Sequence, residues 1–243
     1  MAGPIYFAIG DIHGEADKLA TLHHAIRDRI AFENRAAVIV HLGDYVDRGP
    51  DSRRVIELVM ALEKRFDADP VVRVVSLMGN HELMMLDALD GEGPDRAYGN
   101  AWRASGGKAT IASYAEKRDD TADWKAAVPP EHATWLRSRP AMLYDQARRL
   151  VFVHAGIEPA KFPDCSDEIR LWTRSDRFFI DANWPDREVL KGLTVVHGHT
   201  PTDDARPEVT FRRVNVDTGA CFGGPLTAVM LKDDEAPSFL YAA

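Results

Sequence analysis

Cysteine is scarce in this 243-residue chain, where Cys165 and Cys221 are the whole supply. Two thiols cannot build the disulfide framework of a small secreted scaffold, and they fit a reducing compartment. No uninterrupted apolar segment approaches membrane-spanning length, and the amino terminus shows no basic region followed by a long apolar core. No membrane association is therefore expected, and a cytoplasmic location is. Runs of lysine and arginine are missing too. With 30 basic against 38 acidic residues the formal net charge is −8, which speaks against general affinity for nucleic acid, because no basic surface exists to displace condensed counterions. A small anionic substrate held by a few local cations stays open. Nor does any linker or low-complexity tract divide the chain, so one domain over residues 1–243 is expected.

What is present is a repeated junction. The apolar run Ile5–Ile9 ends in Gly10-Asp11-Ile12-His13-Gly14, Ala37–Leu42 ends in Gly43-Asp44-Tyr45-Val46-Asp47-Arg48-Gly49, and Val71–Met78 ends in Gly79-Asn80-His81-Glu82. Helical spacing follows each: Leu19, Leu22, Ile26 and Ile30; then Val55, Leu58, Val59 and Leu62, with Asp51 or Ser52 as a cap; then Leu83, Met84 and Leu86. Strands that close on a glycine and hand over carboxylate, imidazole or amide groups are the pattern of a site at the carboxyl edge of an α/β sheet. Asp11 and His13, two apart on extended backbone, are candidate metal ligands. Asp44 can bridge two metal ions, Asp47 can orient a histidine, and Arg48 can fork onto two phosphate oxygens. Asn80 offers a carbonyl oxygen to a metal, and His81 at a helix start can work as an acid or base. One such junction reads as well as a turn with a capping aspartate; three in succession do not.

The second half repeats the theme. A hairpin-like pair, Ala141–Tyr144 and Leu150–Val153, ends in His154-Ala155-Gly156, where an imidazole beside two small residues leaves room for a metal, although a lone buried histidine is usually structural. The strand Leu193–Val196 runs into His197-Gly198-His199, and at this spacing both histidines can face one site. Between them, the loop-rich stretch 158–191 carries Arg174, either a second phosphate clamp or a surface salt-bridge partner. Residues 214–216 and 225–231 read as strands, and a short amphipathic helix lies within Pro129–Pro140. His23, His24 and His132 read as solvated, and Tyr98 and Trp102 as core without a chemical role.

In this order and with these separations, GDIHG, GDYVDRG, GNHE, HAG and HGHTP resemble the metallophosphoesterase superfamily. More narrowly they resemble the phosphoprotein phosphatase family of serine/threonine phosphatases in its compact bacterial and phage form, over nearly the whole chain. The resemblance implies an α/β calcineurin-like metallophosphoesterase fold, a central β-sandwich of mixed sheets flanked by helices. It implies two divalent metal ions, manganese first, with iron or zinc open to the same ligand types. Asp11 and His13 would hold one, Asp44 would bridge, and Asn80, His154 and His199 would hold the other. His197 has no counterpart among the ligands. Arg48 and Arg174 would bind phosphate, and Asp47 would orient a catalytic His81. The implied substrate is a phosphorylated protein or peptide, attacked by metal-bound hydroxide. The alternative is a dinucleoside polyphosphate or another small phosphorylated metabolite. Related dinucleoside tetraphosphate hydrolases usually lack the second aspartate of GDYVDRG, so Asp47 favours the phosphatase. A non-catalytic scaffold is opposed by the complete ligand set.

Overall fold

β-Branched and aromatic residues dominate Ile5–Ile9, Ala37–His41 and Val72–Ser76, which form strands β1, β2 and β3 in a computed structural model describing residues 3–91, 100–115, 124–233 and 235–243. Helices α1 (Ala16–Glu33) and α2 (Ser52–Phe66) cross between them, and α3 (Asn80–Asp90) follows β3. Asp51 caps α2 by accepting the Arg54 N–H at 3.2 Å, and Asn34 ends α1 in a left-handed conformation, donating its N–H to the Ile30 carbonyl. Next come α4 (Lys108–Tyr114), α5 (Trp124–Ala127) and α6 (Pro130–Arg137), then β4 (Met142–Asp145), β5 (Leu150–Val153), α7 (Asp167–Trp172) and α8 (Asp176–Phe179). The chain finishes with β6 (Thr194–His197), β7 (Glu208–Val209), β8 (Arg213–Asn215), β9 (Leu226–Leu231) and β10 (Ser238–Ala242).

Two mixed sheets result, ordered β10-β9-β1-β2-β3 and β4-β5-β6-β8-β7. In the first, β1, β2 and β3 are parallel, with Ile5 opposite Ala37 and Ala37 opposite Val72. In the second, β5, β6 and β8 are parallel. Side chains alternate across each strand. Ile5, Phe7 and Ile9 join the cluster with Leu19, Leu22, Val55 and Val59 of the helices. Tyr6, Ala8, Val38 and Val40 join Phe152, Val196 and Val214 between the sheets. The other face of the second sheet packs Val151, Val153 and Val195 against Phe162, Phe178 and Trp184. Strands buried on both faces account for their unbroken apolar runs. Among the described residues, no helix is long and apolar enough to cross a membrane.

Three expectations change. His23 is buried, its Nε2 2.8 Å from Nε2 of buried His41; it follows Leu19 by one turn and precedes Ile26 by three residues, so it shares their inward stripe. His132 is buried, with Nδ1 2.9 Å from the Tyr114 hydroxyl, because it lies one turn before Trp135 and Leu136. His24 is solvated as expected. Strands β7 and β10 lie beyond the strands read from the sequence; their burial is slight at β7 and graded at β10, which leaves little apolar alternation. Tyr98 lies outside the described residues.

Candidate active site

The ends of five strands, three in one sheet and two in the other, place the site. Asp11 and His13 follow β1; Asp44, Asp47 and Arg48 follow β2; Asn80 and His81 open α3 after β3; His154 follows β5; His199 follows β6. Their backbone is strained where the chemistry gathers: φ is positive at His13 (44°), Asp44 (54°), Asp47 (77°), Arg48 (67°) and His199 (68°). L-residues enter that region at a cost of about 1–3 kcal/mol each, sustained only by surrounding contacts. Glu82 supplies many of them. Its carboxylate accepts the N–H groups of Asp44 (2.8 Å), Tyr45 (2.7 Å), Val46 (3.1 Å) and Gly79 (3.0 Å). The approach also requires Gly79, since a Cβ there would stand 2.3 Å from both the amide nitrogen and Oδ1 of Asp44. The sequence shows Glu82 beside the histidine of GNHE but assigns it no task; only its three long-range contacts, to Asp44, Tyr45 and Val46, do.

Asp44 is the hub. Its Oδ2 lies 3.3 Å from His13 Nε2 and 3.9 Å from His81 Nε2, and its Oδ1 lies 3.4 Å from His154 Nε2. The ligand atoms of His13, Asp44 and His81 fall within 4.8 Å of one another, as do those of Asp44, His154 and His199. Asn80 Oδ1 joins the second group, 2.8 Å from His154 Nε2 and 3.0 Å from His199 Nδ1. Proton positions make this convergence telling. His154 Nδ1 donates to the Leu42 carbonyl (3.1 Å) and His13 Nδ1 to the Val46 carbonyl (2.7 Å), so both Nε2 atoms present lone pairs. Burial holds His154 below its ordinary value and His199 down to about 2, so neither carries a second proton. Acceptors from Asp44, Asn80 and His154 thus meet with at most one hydrogen, on His199, to share. Divalent cations fit that donor set.

The charges around the hub follow. Burial alone would raise the Asp44 carboxyl, but the imidazoles of His154, His81 and His13 hold it well below the usual range. Asp11 moves the other way, raised by burial and by the carboxylates of Asp217 and Asp44. Its two oxygens accept the His199 N–H, each at 3.1 Å, and among the described residues Asp11 is in neither cluster of converging ligand atoms. Asp217, buried beside it, carried no role in the sequence reading; it is near in space and 206 positions away in the chain.

His81 Nδ1 donates to Asp47 Oδ2 at 2.6 Å. Trp102 Nε1 reaches both Asp47 oxygens, at 3.0 and 2.9 Å, and Thr110 Oγ1 donates to Oδ1 at 2.6 Å. Trp102 is therefore buried as expected but does more than fill space. Burial lowers the His81 imidazole, yet the Asp44 charge and the Asp47 hydrogen bond outweigh it and raise its pKa overall. Arg48 spans this group, with Nη1 2.6 Å from His13 Nε2 and Nη2 3.1 Å from His81 Nε2. Arg174 donates to the His199 carbonyl at 3.0 Å and, among the described residues, joins no salt bridge. Both arginines line a cleft of about 200 Å³ with Asp44, Asn80, His81 and His199.

His197 does not face this cleft. Its Nδ1 lies 3.1 Å from the Gly198 carbonyl and its ring packs on Phe178 and Phe179. Strand alternation stops at His197, and the positive φ of His199 sends only the second imidazole into the site.

The family model for calcineurin-like phosphoesterases matches residues 6–233. The chain belongs to the calcineurin-like phosphoesterases. A relative of this phosphoesterase in Bacillus subtilis, named bis(5'-nucleosyl)-tetraphosphatase PrpE [asymmetrical], is 30% identical over 96% of this chain and 93% of its own. A crystal structure provisionally named a diadenosine tetraphosphatase superposes with a TM-score of 0.63 at 20% identity, covering 99% of this chain and 94% of that one. A cold-active protein-tyrosine phosphatase of a Shewanella psychrophile gives 0.58 at 19% identity, covering 98% and 80%. At those identities the two structures speak for the fold. Members of the phosphoesterase's family use divalent metals, and its two ligand clusters are placed to receive them.

Proposed function

We propose that this phosphoesterase hydrolyses a dinucleoside polyphosphate at a dinuclear metal centre built around Asp44. The convergence of lone pairs on Asp44 carries the reaction type. The substrate class is supported by relatives named for dinucleoside tetraphosphates, 28% and 30% identical over 91% and 96% of the chain. The serine/threonine phosphatase expected from GDYVDRG has less behind it, since the structural neighbours named as protein phosphatases are 19% and 12% identical, where likeness speaks for the fold alone.

His13 and Asp44, with Asp11 beside them, would hold one cation; Asp44, Asn80, His154 and His199 would hold the other. Manganese is the first candidate, with iron or zinc next. When bound, such cations supply charge to the phosphoryl oxygens and acidify a water. The chain's residues do the rest. Arg48 leaves its resting contacts on His13 and His81 and forks onto phosphoryl oxygens, while Arg174 takes the opposite side of the cleft. With Arg48 drawn away, His81 Nε2 is free to carry a proton, favoured by Asp44 and Asp47, and to give it to the departing oxygen. Asp47, gripped by Trp102 and Thr110, fixes the imidazole so that Nε2 points inward.

The test is product release by manganese-loaded protein from diadenosine tetraphosphate and from a phosphothreonine peptide, with Asp44→Asn as control. Preference for the dinucleotide supports the reading; preference for the peptide overturns it in favour of a protein phosphatase.

A further inference from the structure

Two exposed aromatic side chains stand against groups that line the cleft. Trp172, the last residue of α7, is 40% exposed, lines the cleft, and meets the His199 ring edge-on with centroids 6.4 Å apart. Phe222 is 67% exposed and lies against the Arg48 guanidinium, 5.4 Å from ring centroid to carbon. Scattered exposed hydrophobics are ordinary. These two differ because each touches a charged or ligating residue of the site and each sits on anchored backbone.

The anchoring is specific. Lys18 Nζ donates to the carbonyls of Ala220 (3.0 Å) and Gly224 (2.8 Å), clamping the turn that carries Phe222. That turn closes further through Phe222 N–H and Gly224 N–H, both donating to the Gly219 carbonyl. On the other side, Ala155 N–H donates to the Arg170 carbonyl at 2.8 Å, tying α7 to the segment that bears His154. A rigid turn that presents a bare aromatic face meets little entropic cost when a flat ligand stacks on it.

The contacts also set an order across the site: Phe222 on Arg48, Arg48 on the ligand cluster, then Arg174 and Trp172 beside His199. A dinucleoside polyphosphate has the same order, an aromatic base at each end and anionic phosphates between. We propose that Phe222 and Trp172 are the two nucleobase platforms of this site, each stacking one base while Arg48 and Arg174 grip the phosphates. Stacking tolerates any base, because every base offers a π face, so these platforms select for two-ended dinucleotides rather than for adenine alone. The inference rests on the dinucleoside polyphosphate reading above.

The experiment compares diadenosine tetraphosphate with its abasic analogue, two riboses joined by the same tetraphosphate, on wild type, Trp172→Ala and Phe222→Ala. Wild type is expected to favour the dinucleotide in kcat/KM, through KM, and each substitution to narrow that preference by about tenfold. Trp172→Phe and Phe222→Tyr, which keep a ring, are expected to restore it. Equal handling of both compounds by wild type, or a preference untouched by either alanine, overturns the platforms and leaves the substrate reading standing. A wild type that cleaves neither compound but dephosphorylates a phosphothreonine peptide overturns both.

Discussion

His81 Nδ1 and Asp47 Oδ2 are 2.6 Å apart, and the aspartate that holds the imidazole is itself held by Trp102 and Thr110. Imidazole, carboxylate and indole form a chain that starts at the cleft and ends in the core. Replacing Trp102 with Phe keeps the packing volume close but leaves Asp47 without its indole donor. The expected result is a loss in kcat of about ten- to a hundredfold, matching ~1–3 kcal/mol for a buried acceptor left short, with a modest fall in melting temperature. A large fall in melting temperature with kcat intact would make Trp102 a packing residue only.

The proposed proton donor can be separated from the rest of the site through the leaving group. His81→Ala is expected to slow an alkyl phosphate by ~10²–10⁴-fold, the usual worth of general acid catalysis. p-Nitrophenyl phosphate, whose leaving group is weakly basic, should lose much less. Equal losses on both esters would remove His81 from that role.

Asp44 touches both ligand clusters, so its charge matters twice. Asp44→Asn should lower manganese stoichiometry, measured by titration calorimetry, from two sites to at most one. Activity should fall by more than the ~10–100-fold typical of a residue that only supports a ligand. Two retained tight sites would end the bridging assignment.

Acid stability should carry the mark of the His23–His41 pair. Burial, with a smaller push from Arg27, lowers the His23 pKa from 6.5 to about 4, and burial with a push from His23 holds His41 well below its ordinary value. The unfolded chain then binds more protons between those values. Their stabilising contribution is complete above pH 6.5 and is lost as pH falls toward 4, by about 3 kcal/mol for His23. Denaturant midpoints across that window should drop, and His23→Leu should flatten the drop by about one proton; an unchanged slope would contradict the pair's role.

Gly79→Ala tests the close approach of two strand ends. Its Cβ would stand 2.3 Å from Asp44 on backbone that cannot rotate away. A destabilisation of ~1–3 kcal/mol is expected, together with weakened metal binding. Normal stability in chemical denaturation would refute it.

The strands and the site groups were legible in the sequence because both depend on local order. Apolar runs that stop at glycine mark where buried strands end, and the polar residues just beyond have nowhere to go but the sheet edge. That placed Asp11, His13, Asp44, Asn80, His154 and His199 at strand ends, where they stand. What local order cannot carry is contact between distant segments. Trp102 and Thr110 reach Asp47 across 55 and 63 positions, Glu82 binds the Asp44 loop across 38, and Asp217 lies beside Asp11 from the far end of the chain. His197 and His199 show the same limit at short range. Their spacing allows a shared face, but the backbone leaves the strand between them, and only the packed fold decides that turn. The chemistry was set by residue type and order; the tertiary structure decided which groups meet, because their meeting depends on how two sheets and their helices close upon one another.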